Sequence, residues 1–284
     1  MASVRVGTPE GVRLTSAAAQ WVADEVGIRV LHLKGPAAGE VLGYSRESSD
    51  VDVLVHPSDW LPYLRAMEKV GFLTQGDAVP STGHSVDVIS PHWSASVDVH
   101  HKFPGIEREA GEAFDILWGH RIALDLAGVT CSTLPKVPHA LLIGLHAARS
   151  PEESVKWREA DTAWRGLDND DSVELLELVH QLGAGAALGV RFEEFSHYST
   201  EEVRRLWAAF SRRDAEAVWW LRLRHPRSTR DLIDLFYRGV PRYLHVVHRR
   251  NDGNLWGMTK DLCAKGSRLL QAGVQELKAS RRAG

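Results

Sequence analysis

Cysteine is almost missing from this chain. Cys131 and Cys263 are its two cysteines and lie far apart, which excludes a disulfide framework and a Cys-based zinc site and points to a reducing, cytoplasmic setting. A charge excess is missing too. The 34 basic and 37 acidic residues give a formal net charge of -3, so no global field would hold the chain on nucleic acid or an anionic membrane. No apolar run reaches the ~18 residues of a membrane span, and the stretch around Thr8-Pro9-Glu10 lacks the apolar core of a signal peptide. A soluble protein without a membrane partner is expected. Internal repeats and low-complexity tracts are also missing.

Length is present in excess: 284 residues exceed the usual single domain, so two packed domains are expected. The ten tryptophans lie mostly at helical spacing among aliphatic neighbours, a pattern of core packing rather than of a base-stacking platform. Val12, Leu14, Ala18, Trp21, Val22 and Val26 recur at helical intervals and predict a first helix over residues 8–26. The β-branched run 29–33 predicts a strand, and Gly35-Pro36 starts a helix through Leu42. Val51, Val53 and Val55 alternate with Asp50, Asp52 and Leu54, which predicts a strand with one apolar face and two carboxylates on the other. Ser58 is read as the cap of a helix ending at Val70, before Gly71.

Strands are predicted over 84–90 and 95–103, the second with Asp98 and His100 alternating with Val97 and Val99. A short helix near 112–118 and a strand near 130–134 follow. After Pro135 the pattern is helical almost without interruption, over 139–149, 152–165, 172–182, 201–210, 215–223, 230–249 and 259–277. The fold class is therefore α+β: a mixed sheet with helices over 1–135, then an all-α domain over 136–284.

An Asp-x-Asp on a strand projects two carboxylates from one face roughly 6.5 to 7 Å apart along the chain, and such oxygens suit a hard cation such as magnesium. Two ions about 3.5 to 4 Å apart can clamp a nucleoside triphosphate and activate a hydroxyl for in-line attack. Asp98, in its own Val-Asp-Val alternation, is the candidate third carboxylate. Alternating acids also arise as the solvated face of a strand; the preceding strand, Gly-Pro turn and helix favour the metal reading.

The stretches Leu33-Lys34-Gly35-Pro36-Ala37-Ala38, Arg46 to Val55 and Val97-Asp98-Val99-His100 resemble the uncharacterised nucleotidyltransferase family of bacteria, within the polymerase-β-like superfamily. His146-Ala147-Ala148-Arg149, Lys156-Trp157 and Asp161 are similar to a helical element of that family, so the likeness spans about residues 25 to 165. It implies a small mixed sheet in which the two acid-bearing strands are neighbours. It also implies that Asp50, Asp52 and Asp98 bind Mg2+, with Mn2+ as its substitute, and that Asp98 is the general base.

Nucleotide contacts are expected from Lys34, Gly35, Arg46, Ser48, Ser49, His100, Lys156 and Asp161. Gly35 and the helix after it offer backbone amides to phosphate, and Lys34 or Arg46 adds a cation. The wider superfamily commonly has Gly-Ser where this chain has Gly35-Pro36, so a hydroxyl contact is lost there. Clustered carboxylates should raise one another's pKa, and the site should assemble only once magnesium neutralises it.

His84, His92 and Trp93 are candidates for the acceptor side, or else merely exposed turn residues. Lys156 and Asp161 are alternatively an intrahelical or interdomain ion pair. A phosphohydrolase set of His139, His146 and Asp161 lacks the adjacent His-Asp pair. Trp219, Trp220, Arg222 and Arg224 together offer a surface for a peptide or partner.

The resulting reading is transfer of a nucleoside monophosphate from an NTP to a hydroxyl-type acceptor, with release of pyrophosphate. The acceptor is a small molecule, peptide, protein or RNA end, chosen by the helical domain, which would also close the nucleotide cleft. The alternatives are phosphotransfer at the same site, a non-catalytic nucleotide- or partner-binding module, and one component of a toxin and antitoxin pair.

Overall fold

The computed structural model describes residues 8–44, 48–74, 84–151, 154–198, 200–212, 214–224, 244, 248 and 254–283. Arg46 and nearly all of the helix predicted over 230–249 lie outside the described residues. Two compact units emerge, one of residues 1–147 and 153–188, the other of 148–152 and 189–284. Pro135 marks the change from strands to helices, but the helices that follow it as far as Leu188 belong to the unit that holds the sheet.

The first unit runs α1 (Thr8–Glu25), β1 (Val30–Leu33), α2 (Gly35–Leu42), β2 (Asp50–Val55), α3 (Trp60–Lys69), β3 (Leu73–Thr74), β4 (Ser85–Ile89), β5 (Ser96–His100), α4 (Ala110–Gly119), β6 (Ile122–Leu126) and β7 (Val129–Thr133). The helices α5 (Lys136–Ala147), α6 (Val155–Arg165), α7 (Asn169–Leu182) and α8 (Gly185–Leu188) complete it. The sheet order is β3-β4-β5-β2-β1-β7-β6. It is mixed, because β2 pairs antiparallel with β1 but parallel with β5.

Alternation decides which side of this sheet is core. Val51, Val53, Val55, Val97 and Val99 form one buried cluster with Val12, Ala19 and Val22 of α1 and Trp60, Tyr63 and Met67 of α3. Polar tips fix those helices: Trp60 Nε1 donates to the Val99 carbonyl at 3.0 Å, and the Tyr63 hydroxyl to the Ala19 carbonyl at 2.8 Å. The opposite face of β2 and β5 is left to the alternating acids. Among the described residues no helix is long and apolar enough to cross a membrane.

Several boundaries differ from the sequence reading. Ser58 does not cap α3; its hydroxyl lies 2.6 Å from His56 Nδ1 and donates to Asp59, and Asp59 takes the cap position without a side-chain cap bond. Strand β6 went unread because its turn to β7 is Ala127-Gly128, both at positive φ, a geometry that Asn-Gly would have announced. Asp125 accepts from the Gly128 amide at 3.0 Å and holds that turn. Strand β3 and helix α8, at two and four residues, are too short for a period to show.

The second unit contains α9 (Glu201–Ser211), α10 (Ala215–Arg224) and α11 (Leu255–Ala283). Leu206 and Ala209 pack with Ala217 and Leu221, while Glu216 accepts from Lys265 at 2.8 Å and Arg268 at 3.2 Å. A Cβ on Gly273 would meet the Trp220 ring at 2.9 Å. Trp220 therefore packs part of its indole on α11 and stays half-buried.

Asp171 joins two fastenings at the start of α7. It accepts from the Asp168 amide in a capping box and from Lys136 of α5 at 2.5 Å. Lys136 first, then that amide, holds its pKa below the usual value. A depressed folded pKa stabilises above the unfolded value of about 4 and ceases to as pH falls through the folded one. Asp171→Ala should therefore lower the urea midpoint at pH 7, and the gap from the native chain should close below about pH 4.

Candidate active site

Strand register assembles the site. Parallel pairing sets Asp52 of β2 against Asp98 of β5, and Asp50 against Ser96. Side chains two apart share a face, so Asp50, Asp52, Asp98 and His100 all stand on the face away from the valine core. His100 Nε2 lies 3.1 Å from both Asp52 Oδ1 and Asp98 Oδ2. Among the described residues, Asp52, Asp98 and His100 are the group whose potential ligand atoms converge, all within 4.8 Å of one another. His139, His146 and Asp161 form no such group.

The charge on this face is balanced from within. Lys34 is buried, and its ammonium donates to Asp52 Oδ1 at 2.5 Å and sits 5.7 Å from the Phe103 ring centroid. Burial works to raise the Asp52 pKa, but the His100 hydrogen bond and the Lys34 charge outweigh it, and the group lies far below its usual range. Asp98 follows the same pattern: burial raises, the His100 bond and charge lower, and the net shift is downward. For His100, burial favours the neutral ring, yet its bonds to Asp52 and Asp98 lift its pKa above the usual value.

Two sequence expectations are corrected here. The carboxylates were expected to raise one another, and Asp52 and Asp98 are instead lowered. The cluster was expected to assemble only around magnesium, and Lys34 already supplies positive charge to it while His100 hydrogen-bonds both acids. Lys34, read as a phosphate contact, directs its ammonium at Asp52 in the nucleotide-free chain.

Backbone conformation brings Lys34 there. Lys34 and Gly35 both have positive φ, 49° and 47°, and a lysine in that region carries strain of about 1 to 3 kcal/mol. Gly35 is required for its φ rather than for space, because an added Cβ would stand 3.5 Å from Ser48, at ordinary contact. Helix α2 starts at this turn. Ser48 donates to Asp50 Oδ1 at 2.9 Å and to the Asp50 carbonyl at 2.8 Å, so it orients the first acid.

Ser48 and Ser49 also line a cavity of about 960 Å³, together with Pro9, Arg13, Pro36 and Tyr44. The Tyr44 hydroxyl donates to Glu159 of α6 at 3.3 Å, which ties the cavity wall to the helix that bears Lys156 and Asp161. Those two side chains are half-buried on α6, beside the buried Trp157. Of the residues considered for the acceptor side, His84 has its ring 5.5 Å from that of His100, and Trp93 stacks on Phe72 at 6.2 Å. His92 is exposed in its turn.

Asp87 was missed. The tetrapeptide Ser-Val-Asp-Val occurs at both 85–88 and 96–99, and antiparallel β4–β5 pairing sets Asp87 against Asp98. Burial and then the charges of Asp98, Asp50 and Asp52 raise the Asp87 pKa, with His100 opposing. The repeated tetrapeptide was the available signal. Phe103, which stacks on His100 at 5.9 Å, carried none.

The family model described as uncharacterised nucleotidyltransferase matches residues 20–190. No curated protein matches the chain. Among solved structures, the crystal structure of ANT(2")-Ia in complex with adenylyl-2"-tobramycin is similar at 16% identity and TM-score 0.44, over 60% of this chain and 97% of that one. The lincomycin-bound lincosamide antibiotic adenylyltransferase LnuA is similar at 12% identity and TM-score 0.34, over 58% and 94%. An antigenic nucleotidyltransferase-like protein from Paracoccidioides brasiliensis is similar at 15% identity and TM-score 0.38, over 65% and 94%.

Removing one partner of a buried ion pair costs about 3 to 5 kcal/mol. Lys34→Met should accordingly lower the urea midpoint of the metal-free chain sharply, and Lys34→Met/Asp52→Asn should recover part of that loss, because no unpaired charge then stays buried.

Proposed function

From the premise that this chain belongs to the uncharacterised nucleotidyltransferase family, we propose that it transfers a nucleoside monophosphate from an NTP to a hydroxyl-bearing acceptor and releases pyrophosphate. The observation that carries this reading is the parallel register of β2 and β5, with Asp52 opposite Asp98 and Asp50 one pleat away. The positive-φ turn at Lys34-Gly35 opens helix α2 beside them.

The donor set fits a divalent cation. Asp98 Oδ1 is buried and makes no hydrogen bond among the described residues, and hard carboxylate oxygens suit Mg2+ or Mn2+. Asp50, Asp52 and Asp98 would hold the metal. When bound, such ions neutralise the phosphates and the leaving pyrophosphate.

The chain's own groups do the rest. The amides at the start of α2 meet the phosphates, with Ser48 and Ser49 beside Asp50, and Arg46 is assigned to the same oxygens. Lys34, once released from Asp52, adds its ammonium to the same oxygens. Asp98 takes the proton of the acceptor hydroxyl as its oxygen attacks the α-phosphorus and the bond to the bridging oxygen breaks. In the metal-free chain His100 Nε2 hydrogen-bonds Asp52 and Asp98. Lys156 and Asp161 are assigned to the nucleoside side, and acceptor choice to the helices from Lys136 onward. Positioning and charge neutralisation supply most of the acceleration.

Thermal unfolding of the full chain with each of the four NTPs, with and without Mg2+, tests this reading. Ligand at a hundred times its Kd adds about 2.7 kcal/mol to the folded state, so a magnesium-dependent rise in Tm is expected, and it should vanish in Asp98→Asn and Asp50→Asn. Label from the α-phosphate should then appear on an acceptor. Label from the γ-phosphate there would instead identify phosphotransfer, and no shift with any NTP would identify a partner-binding module.

A further inference from the structure

We propose that His100 Nε2 is itself a metal ligand, so that Asp52, Asp98 and His100 form a two-carboxylate, one-imidazole site selecting a divalent first-row transition ion over magnesium. This rests on the acid row being the metal site of the transferase described above, and it alters which atoms hold the ion there.

Geometry carries the assignment. Neighbouring ligands on a six-coordinate ion with bonds of about 2.1 Å stand roughly 3 Å apart. His100 Nε2 is 3.1 Å from Asp52 Oδ1 and 3.1 Å from Asp98 Oδ2, so two of the three ligand separations match that spacing, and all three ligand atoms lie within 4.8 Å of one another. All three side chains come from paired strands in fixed register, Asp52 against Asp98 and Leu54 against His100.

The ring is set to present that nitrogen. His100 is 2% exposed, and it lies near Phe103 and His84 at centroid separations of 5.9 and 5.5 Å. Its Nδ1 makes no hydrogen bond among the described residues. The ring contacts orient it with Nε2 toward the two carboxylates. On metal binding Nε2 gives up to solvent the proton it shares with the carboxylates, and two carboxylates and a neutral imidazole then balance a doubly charged ion without Lys34, whose ammonium is free to leave Asp52 Oδ1. Imidazole suits manganese, iron, cobalt and zinc, whereas magnesium takes oxygen and water.

Mn2+ is the probe, with the full chain and electron paramagnetic resonance as the readout. Bound Mn2+ should show a 14N coupling in pulsed spectra that becomes a 15N coupling when the chain carries 15N-histidine. In His100→Asn, or in His100→Gln if the first variant fails to fold, the coupling should disappear and Mn2+ affinity should fall about 10- to 100-fold. Mg2+ should displace Mn2+ from the native chain only in large excess, and nearly one for one from the variant. Mn2+ bound without nitrogen coupling, coupling that survives in both variants, or no Mn2+ binding would overturn the assignment. A magnesium-dependent NTP shift without nitrogen coupling would sink this ligand set alone, and coupling without any NTP shift would sink the transferase reading alone.

Discussion

Carboxylates gathered on one face of a sheet repel one another, and a fold that gathers them must place positive charge among them or hold them protonated. Here Asp52 and Asp98 are brought directly opposite each other by parallel strands, Lys34 supplies positive charge, and His100 hydrogen-bonds both acids. The rest of the first unit can be traced to that arrangement. Lys34 reaches Asp52 only because the chain turns at positive φ between β1 and α2, and His100 reaches both acids because it follows Asp98 by one pleat on the same strand. At Asp87, burial and the charges of Asp98 and Asp50 outweigh His100, and the pKa moves upward.

The valine face explains why this arrangement is tolerated. Burial of Val51, Val53, Val55, Val97 and Val99 against α1 and α3 fixes the register, since a slip by one residue would drive the acids into the core and the valines out of it. Stability and site geometry are therefore set by the same alternation. The strain at Lys34 is held in place by the ion pair it makes possible, a local cost carried by a well-packed sheet.

Much of this was legible in the residues. The Val-Asp-Val alternations gave both strands and their faces, the Gly-Pro turn gave the start of α2, and the helical periods after Pro135 gave most helices of both units. Asp50, Asp52, Asp98 and His100 were picked out by pattern, and His100 was set on the same face as Asp98, where it lies. The direction of the pKa shifts was misread, because the proximity of Lys34 to Asp52 depends on a turn conformation that residue type does not announce. Asp87 was legible in principle through the repeated Ser-Val-Asp-Val, but its meaning depended on knowing that the two copies pair.

What the sequence by itself determined is periodicity: which side chains share a face, where strands yield to helices, and which residue types can hold a cation or a phosphate. These follow from local backbone geometry, which repeats every 2 or 3.6 residues wherever the chain lies. Only the tertiary structure decided that Asp52 meets Asp98 rather than Ser96, that Asp87 stands on their other flank, and that Lys34 and His100 share one oxygen of Asp52. Those contacts join residues 11 to 48 positions apart in the chain, and strand register and turn conformation, not composition, bring them within a few ångströms.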